Sequence, residues 1–427
     1  MLLSKETTIH FNDKEANIIS HMCYAAYKLW NVCNYERKNY KDLIQKGELK
    51  EYPDWYYQKS AHKDDIWFKS LPSQTAQEVC KLLDKGWKSF YKLLKTKGIE
   101  NPQPPKFKHE LIPITYMQNG IQKQENGSIR LSISKQLKEH MSQSYGIKED
   151  YIFIHNQFMN NFENIKQIKI YPPKNGTSRI IVIYEIEDTN MLLDNFHYLS
   201  IDLGLHNLFT CYDSLNGNSF IVGRKYLSIC RKYDKAISRV QSEWYSIQNA
   251  MNQNKEKPVN PFYPKSSKHI KKLYEKKQNC INDYLHKITK SIVDYCVANN
   301  IHTVVIGDIK GIRKNANLGS VTNQKLHSLP SAKIYKMLEY KLNLKGISLI
   351  KQKENYSSQC SPNSKEVSKN YATKKNRIKR GLYQDGQETW NADAVGAYNI
   401  LRLSSQCGLT SFTKNKIEPT YVMQVRL

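Results

Sequence analysis

Long apolar runs are missing from this sequence. No stretch approaches the ~18 uncharged apolar residues that a membrane-spanning helix needs. The opening residues MLLSKETTIHFNDKE carry charges where a secretion signal would have an apolar segment. The sequence therefore shows neither a membrane span nor a secretion signal, and we expect a soluble, cytoplasmic protein.

Closely paired cysteines are also missing. The nine cysteines are scattered along 427 residues, without the spacing of a disulfide framework or of a metal knuckle. We expect reduced, mostly buried thiols, which excludes a small disulfide-stabilised secreted fold.

Acidic residues are scarce relative to basic ones. Aspartate and glutamate total 39 against 65 lysines and arginines, a formal net charge of +26. Such an excess favours nucleic acid as partner, because lysine and arginine neutralise phosphates and release counterions. The length predicts about two to four domains. The 29 tyrosines, 12 phenylalanines and 6 tryptophans are too many for a disordered chain.

Helical periodicity marks the first hundred residues. Apolar residues recur at three- and four-residue steps from Asn12 to about Gln45, where Asn12 or Asp13 can cap the helix. A second stripe follows Leu71, with Ser73 as its cap. Both stripes are typical of helices that pack on a core.

The period changes to two between Gly127 and Asp188, after a proline-rich connector at 101–108. Short alternating runs separated by turn residues predict a small antiparallel sheet or barrel. Residues 8–11 can supply another strand, in which case the helices of 12–100 are an insertion into a β module.

Strands and helices follow in a new order from Tyr198 onwards. The pattern predicts strands at 199–204, 208–212 and 219–222, a basic helical segment after 224, a helix at 266–299, a strand at 303–306, a helix at 330–345, a strand at 347–350 and a helix at 391–403. This is the element order of an RNase H-like α/β domain. The last two dozen residues match no pattern.

Two aspartates stand at ends of these elements. Asp202 ends the first strand and precedes Gly204, and Asp393 lies in the first turn of the last helix. Each alone is typical of a turn or a helix start. An RNase H-like fold brings them together, and carboxylates are ligands that Mg²⁺ prefers. Two such ions can stabilise the attacking and leaving oxygens in phosphodiester hydrolysis.

A third acid is expected at the end of the fourth strand, where residue 307 is glycine. Asp308 is one residue on, and a strand period of two would turn it to the opposite face, although strand ends can twist. Glu354 follows the fifth strand, which lies parallel to the fourth in this order. Glu354 is the better candidate, and Asp308 remains the alternative.

At this point the residues resemble the RuvC domain of TnpB nucleases and of the miniature type V CRISPR effectors derived from them. The motifs are Ile201-Asp202-Leu203-Gly204; Tyr284-Leu285-His286-Lys287 running into Val304-Val305-Ile306-Gly307-Asp308; Glu354-Asn355-Tyr356-Ser357-Ser358-Gln359-Cys360; and Asn391-Ala392-Asp393 through Gly396-Ala397-Tyr398-Asn399-Ile400. Upstream, Leu71-Pro72-Ser73-Gln74 through Trp87 and Pro104-Pro105-Lys106-Phe107-Lys108 are similar to the N-terminal half of that family. The resemblance spans nearly the whole chain.

The resemblance implies an RNA-guided DNA endonuclease that binds guide RNA and double-stranded target DNA beside a short adjacent motif. Asp202 and Asp393 match the family's first and third catalytic acids. Gly307 replaces the usual second acid, which resembles a TnpB branch in which the acid moves to the position of Glu354. The expected cofactor is Mg²⁺ in a two-metal site held by Asp202, Glu354 and Asp393.

The resemblance also implies a domain layout. We expect a β-barrel at 1–11 and 109–195, a helical recognition insertion at 12–108, a RuvC nuclease at 196–354 and 389–404, a degenerate target-nucleic-acid-binding insertion at 355–388 and a tail at 405–427. The family's four-cysteine zinc ribbon is missing, because Cys360 is alone and residues 379–386 replace the second pair. One thiolate cannot hold tetrahedral zinc, so no structural zinc is expected.

Basic clusters beside the acids are expected to guide a nucleic acid strand through phosphate contacts. They are Lys310, Arg313, Lys314, Lys374, Lys375, Arg377, Lys379 and Arg380. Two alternatives to the guided nuclease stay open: a nuclease-silent RNA-guided DNA-binding protein, and a guide-independent resolvase or transposase. Monomer and homodimer are equally compatible with the sequence.

Overall fold

Two units, Met1–Asp188 and Thr189–Leu427, each carry helices and strands. The computed structural model describes residues 1–96, 99–155, 162–253, 266–309, 329–379, 381–404, 419–423 and 425. Within these ranges, no helix has the length and apolar character to cross a membrane.

Side-chain caps start four of the six described helices in the N-terminal unit, whereas Ser73, the predicted cap of the second stripe, is the first residue of its helix. Their bounds are α1 Asp13–Lys38, α2 Tyr40–Gln45, α3 Trp55–Ala61, α4 Ile66–Lys69, α5 Ser73–Thr96 and α6 Lys135–Tyr145. At the start of α1, Asn12 Oδ1 accepts from the Glu15 amide at 2.9 Å and the Glu15 carboxylate accepts from the Asn12 amide at 3.3 Å, a capping box. The predicted single helix to Gln45 is interrupted at Asn39, whose side chain donates to the Tyr35 carbonyl and competes with the backbone.

Strands of the same unit form two open sheets. Their bounds are β1 Leu2–His10, β2 Ile114–Met117, β3 Ile121–Lys123, β4 Ile129–Ser132, β5 Tyr151–Ile154, β6 Asn164–Ile170 and β7 Thr177–Glu185. The antiparallel orders are β1-β7-β6-β2 and β3-β4-β5. The N-terminal residues supply a strand, as predicted. The predicted barrel is not found as a closed one among the described strands, because β1 and β2 are opposite edges of their sheet and do not pair.

The second unit is built on a six-stranded sheet. Its strands and an adjoining hairpin are β8 Tyr198–Leu203, β9 Phe209–Asp213, β10 Ser219–Val222, β11 Thr303–Asp308, β12 Ser348–Lys353, β13 Leu382–Asp385, β14 Glu388–Asn391 and β15 Pro419–Met423. The sheet order is β12-β11-β8-β9-β10-β15, with β13 paired to β14. β8, β9 and β10 are antiparallel, whereas β11 and β12 run parallel to β8. β15, which the sequence pattern missed, adds a parallel strand beside β10.

Helices cover both faces of this sheet. Their bounds are α7 Tyr226–Gln253, α8 Lys268–Ala298, α9 Ser331–Asn343 and α10 Ala392–Leu403. Apart from the β13–β14 hairpin and β15, which the sequence pattern did not predict, the element order is the predicted one. Alternate strand residues pack into two different cores: Val304 and Ile306 with α8 and α9, and Val305 with α10. Burial on both faces explains why these strands read as nearly continuous apolar runs.

A buried ion pair joins α1 to α5 in the N-terminal unit. The Arg37 side chain is fully excluded from solvent, and its Nη1 donates to Asp84 Oδ1 at 2.9 Å. Its Nε donates to Gln58 Oε1 at 3.0 Å. The guanidinium is therefore paired with a carboxylate and hydrogen-bonded through Nη1 and Nε inside the helical core.

Replacing Asp84 by alanine should lower the free energy of unfolding by about 3–5 kcal/mol, because it leaves a buried charge without its partner. Denaturant unfolding followed by fluorescence checks this. Lys88→Ala is the matched control, since Lys88 Nζ contacts the same carboxylate at 2.7 Å from a side chain that is 73% exposed, and it should change stability little. Equal losses in the two variants would contradict the prediction.

Candidate active site

Acidic side chains meet at one edge of the six-stranded sheet. Asp202 lies near the end of β8, Asp308 ends β11 and Glu354 follows β12. The three strands are parallel, so their carboxyl ends share an edge. Asp393 joins them from the first turn of α10. All four acids line one cleft of about 500 Å³.

The predicted metal ligands Asp202, Glu354 and Asp393 are therefore brought together. The remaining lining consists of turn residues and one cation: Leu203, Gly204, Leu205, His206, Ile309, Asn355, Ser357, Ser358 and Arg377. Hydroxyl, amide and carboxylate groups make the cleft polar.

Gly307 leaves the space that the Glu354 carboxylate occupies. Strand pairing runs to Ile306 opposite Ile201, so Gly307 and Asp202 come next on their strands. A β-carbon on residue 307 would lie 1.7 Å from Glu354 Oε1 and 2.5 Å from its Cδ. Non-bonded atoms do not approach so closely. The Glu354 carboxylate thus stands where a side chain on residue 307 would be, beside Asp202.

A second glycine receives the Asp202 carboxylate. A β-carbon on Gly396 of α10 would lie 2.6 Å from Asp202 Oδ2. Gly396 comes three residues after Asp393, so the two are neighbours on the helix surface. Glycine at 396 therefore allows this helix to approach Asp202 closely.

Burial and mutual repulsion raise the pKa of two acids. Burial raises the pKa of Asp202 well above its ordinary value, and the charges of Glu354 and Asp393 raise it further, whereas Arg377 lowers it. Burial and then the charge of Asp308 raise the pKa of Glu354 to about 7. The fold therefore holds these carboxylates together against their repulsion.

Asp393 is fixed at the start of α10. Asn391 Oδ1 accepts from the amides of Asp393 and Ala394 at 3.1 and 3.2 Å. The Asp393 carboxylate accepts from Asn207 Nδ2 at 2.9 Å and from Arg377 at 3.3 Å. No sequence pattern points to Asn207, because a polar residue in a short turn fits any loop.

Asp308 lines the same cleft, although the strand period would turn it away. Tyr335 of α9 donates its hydroxyl to the Gly307 carbonyl at 2.7 Å and accepts from the Ile309 amide at 3.1 Å. Burial raises the pKa of Tyr335 to about 12, with contributions from the charges of Asp308 and Glu354. Asp308 therefore stays the alternative third acid, because it lines the cleft while it is still paired to Lys353 in the β11–β12 ladder.

The predicted nucleic-acid-binding residues divide into two sets. Arg377 lines the cleft, and Lys374, Lys375 and Lys379 are exposed in the same segment. The others lie outside the described residues: Lys310, Arg313, Lys314 and Arg380.

Hydrogen bonds hold the segment at 355–388, which contains a single cysteine. The buried Cys360 thiol donates to the Ser368 carbonyl at 3.3 Å, and burial raises the pKa of this thiol. The Tyr383 hydroxyl of the β13–β14 hairpin donates to the Gln359 carbonyl at 3.0 Å. Cys360 is therefore a buried thiol in a hydrogen-bonded turn.

The cleft has the donors that a hard cation requires. No three His, Cys, Asp or Glu side chains are arranged as a metal site in the described part of the chain. The lining nevertheless fits Mg²⁺, because it supplies carboxylate oxygens. Glu354 Oε1 is in addition a buried acceptor without a hydrogen-bond partner among the described residues.

Comparisons with known proteins agree with the predicted resemblance. Residues 182–313 match the IS605 OrfB family model, described as "Probable transposase". Residues 332–400 match the model "Cas12f1-like, TNB domain". No curated protein matches the chain significantly.

Solved structures show the fold. A Cas12f1–sgRNA–target DNA complex aligns with a TM-score of 0.58 at 13% identity, covering 91% of this chain and 83% of that chain. A CRISPR-Cas12f ternary complex aligns with a TM-score of 0.37 at 14% identity, covering 90% and 80%. The mini-RNA-guided endonuclease CRISPR-Cas phi3 aligns with a TM-score of 0.40 at 9% identity, covering 96% and 94%.

The mixed α/β fold is therefore like that of Cas12f1. The chain carries an IS605 OrfB segment followed by a Cas12f1-like TNB segment, and its predicted resemblance to the TnpB nucleases and miniature type V effectors is confirmed.

Proposed function

We propose that this protein is an RNA-guided DNA endonuclease that hydrolyses phosphodiester bonds in a RuvC-type site. The observation that carries the proposal is the Glu354 carboxylate, which fills the side-chain space of Gly307 beside Asp202. It supplies an acid at the place where the motif has lost one. The family matches and the Cas12f1-like fold support guided DNA cleavage in general.

The sheet order supports an RNase H-like nuclease. Three antiparallel strands, two parallel strands added at β8, and a final helix packed over β8 bring the first strand and the last helix together. We assign the nuclease to 196–354 and 389–404, with the insertion at 355–388. The assignment of 1–11 with 109–195 to a wedge-like β domain, and of 12–108 to a recognition domain, is part of the same proposal.

Asp202, Glu354 and Asp393 would hold Mg²⁺ in the cleft. Two bound ions would supply charge stabilisation at the attacking and leaving oxygens of the phosphodiester. The protein's own contribution is to gather three carboxylates in one cleft and to keep Arg377 beside them, where its guanidinium can contact a phosphate.

Positive charge would hold the nucleic acids. A chain with a net charge of +26 binds RNA and DNA backbones without reading their sequence. Exposed Lys374, Lys375 and Lys379 would contact a strand that enters the cleft. Guide RNA supplies the sequence reading by base pairing.

Glu354→Gln, Asp202→Ala and Asp393→Ala should each lower cleavage by at least about 100-fold, the order that loss of one essential electrostatic group costs. Single-turnover cleavage in Mg²⁺ is measured on a duplex matched to the copurifying RNA. Binding of that duplex should survive. Glu366→Gln, an exposed acid of the same unit outside the cleft, is the control. A wild type that binds guided DNA but never cuts it, whichever divalent metal is supplied, would favour the nuclease-silent alternative.

Gly307→Ala should lower cleavage nearly as much as Glu354→Gln, because the added methyl group displaces the Glu354 carboxylate. The melting temperature should stay close to that of the wild type, because the atoms nearest the added methyl group belong to the flexible Glu354 side chain. Gly381→Ala is the matched control, as a β-carbon there meets no atom within 4 Å. Full activity of Gly307→Ala would refute the placement of Glu354.

Purified protein should contain well under one zinc per chain, because the raised pKa of the buried Cys360 keeps it a neutral thiol and one thiolate cannot complete a zinc site. Elemental analysis measures this, and Cys360→Ser should leave cleavage within a few-fold of wild type. Stoichiometric zinc that disappears in Cys360→Ser would show that the segment is a zinc site.

A further inference from the structure

Glu354 lies beyond the hydrogen-bonded ladder of its sheet. The last pair of β11 and β12 joins Asp308 to Lys353, and Glu354 is the next residue. The chain then turns: Tyr356 has a left-handed φ of 64°, and the Ser357 amide and hydroxyl donate to the Glu354 carbonyl at 3.3 and 3.1 Å. Strand pairing would fix the position of an acid on β11. The position of Glu354 depends instead on the contacts that hold the turn after β12 in place.

Asn399 of α10 holds the turn. This residue is fully buried, and its Nδ2 donates to the carbonyls of Ser357 and Cys360, both at 2.8 Å. Its Oδ1 accepts from Arg402 Nη1 at 3.0 Å. Carbonyls only accept and guanidinium only donates, so the amide has one possible orientation. Both protons of the Asn399 amide are committed to the turn.

We propose that Asn399 is a positioning residue for Glu354: its two hydrogen bonds keep the turn docked so that the carboxylate stays in the space left by Gly307. The inference rests on the proposed function, in which Glu354 is a metal ligand. Outer groups of this kind hold ligands in place, and their loss weakens metal affinity by about 10- to 100-fold.

The same helix supports all three acids. Asp393, Gly396 and Asn399 follow at three-residue steps along α10. The first is itself an acid of the cleft, the second makes room for Asp202, and the third docks the turn that bears Glu354. One packed helix thus fixes acids that come from three different places in the chain.

Asn399→Asp is the sharpest test, because it keeps the size of the side chain while pointing a carboxylate at two carbonyls. In the purified full-length protein, Mn²⁺ binding measured by electron paramagnetic resonance should weaken about 10- to 100-fold. Amide hydrogen exchange should accelerate at 355–361 and stay unchanged in β11. In the cleavage assay, the apparent metal constant should rise by the same factor, with kcat at saturating Mg²⁺ largely kept.

Two further variants complete the test. Asn399→Ala removes the hydrogen-bond donor without adding charge, so it replaces the aspartate variant if that variant unfolds. Its Mn²⁺ binding should weaken by the same factor. Asn363→Ala is the matched control, because it removes the side-chain bond from Asn363 to Glu388 in the same segment and should leave Mn²⁺ binding unchanged.

Wild-type Mn²⁺ affinity and unchanged exchange at 355–361 in folded Asn399 variants would overturn the inference alone. Unchanged Mn²⁺ affinity in Glu354→Gln would instead overturn the ligand assignment, and the inference with it.

Discussion

The side-chain space of residue 307, at the edge of the sheet beside Asp202, is occupied in this chain by the Glu354 carboxylate. A side chain on residue 307 and the Glu354 carboxylate exclude each other, because the β-carbon of the one would lie 1.7 Å from an oxygen of the other. The observed position of Glu354 therefore requires glycine at residue 307. In the proposed function, Glu354 would supply at this point the acid that the family's usual second motif carries on the fourth strand.

The cleft gathers negative charge in a strongly basic protein. Burial and repulsion raise the pKa values of Asp202 and Glu354, which means that packing holds these groups where their own electrostatics disfavour them. Strand pairing positions Asp202, Gly396 of α10 packs against the Asp202 carboxylate, and Asn399 of α10 hydrogen-bonds the turn that follows Glu354. A divalent cation would relieve the repulsion, and that is why the arrangement favours metal-dependent chemistry in our proposal.

Local patterns predicted most of the second unit, because buried parallel strands and amphipathic helices have distinct periods. The position of Glu354 was also predictable, since parallel neighbours end at one edge. Other features depend on contacts between distant segments. The burial of Arg37 and the two bonds from Asn399 arise from side chains that meet only in the folded chain. Sheet closure is likewise a property of distant edges, so a strand pattern alone could not distinguish a barrel from two open sheets.

Moving the acid back to the strand tests the central claim most directly. Glu354→Ala alone should abolish cleavage of the guided duplex, and the double variant Gly307→Glu with Glu354→Ala should restore a substantial part of it, because the two positions serve one volume. Single-turnover cleavage in Mg²⁺, with duplex binding measured in parallel, gives the answer. Undiminished cleavage by Glu354→Ala, or a folded double variant that binds the duplex and never cuts it, would contradict the account.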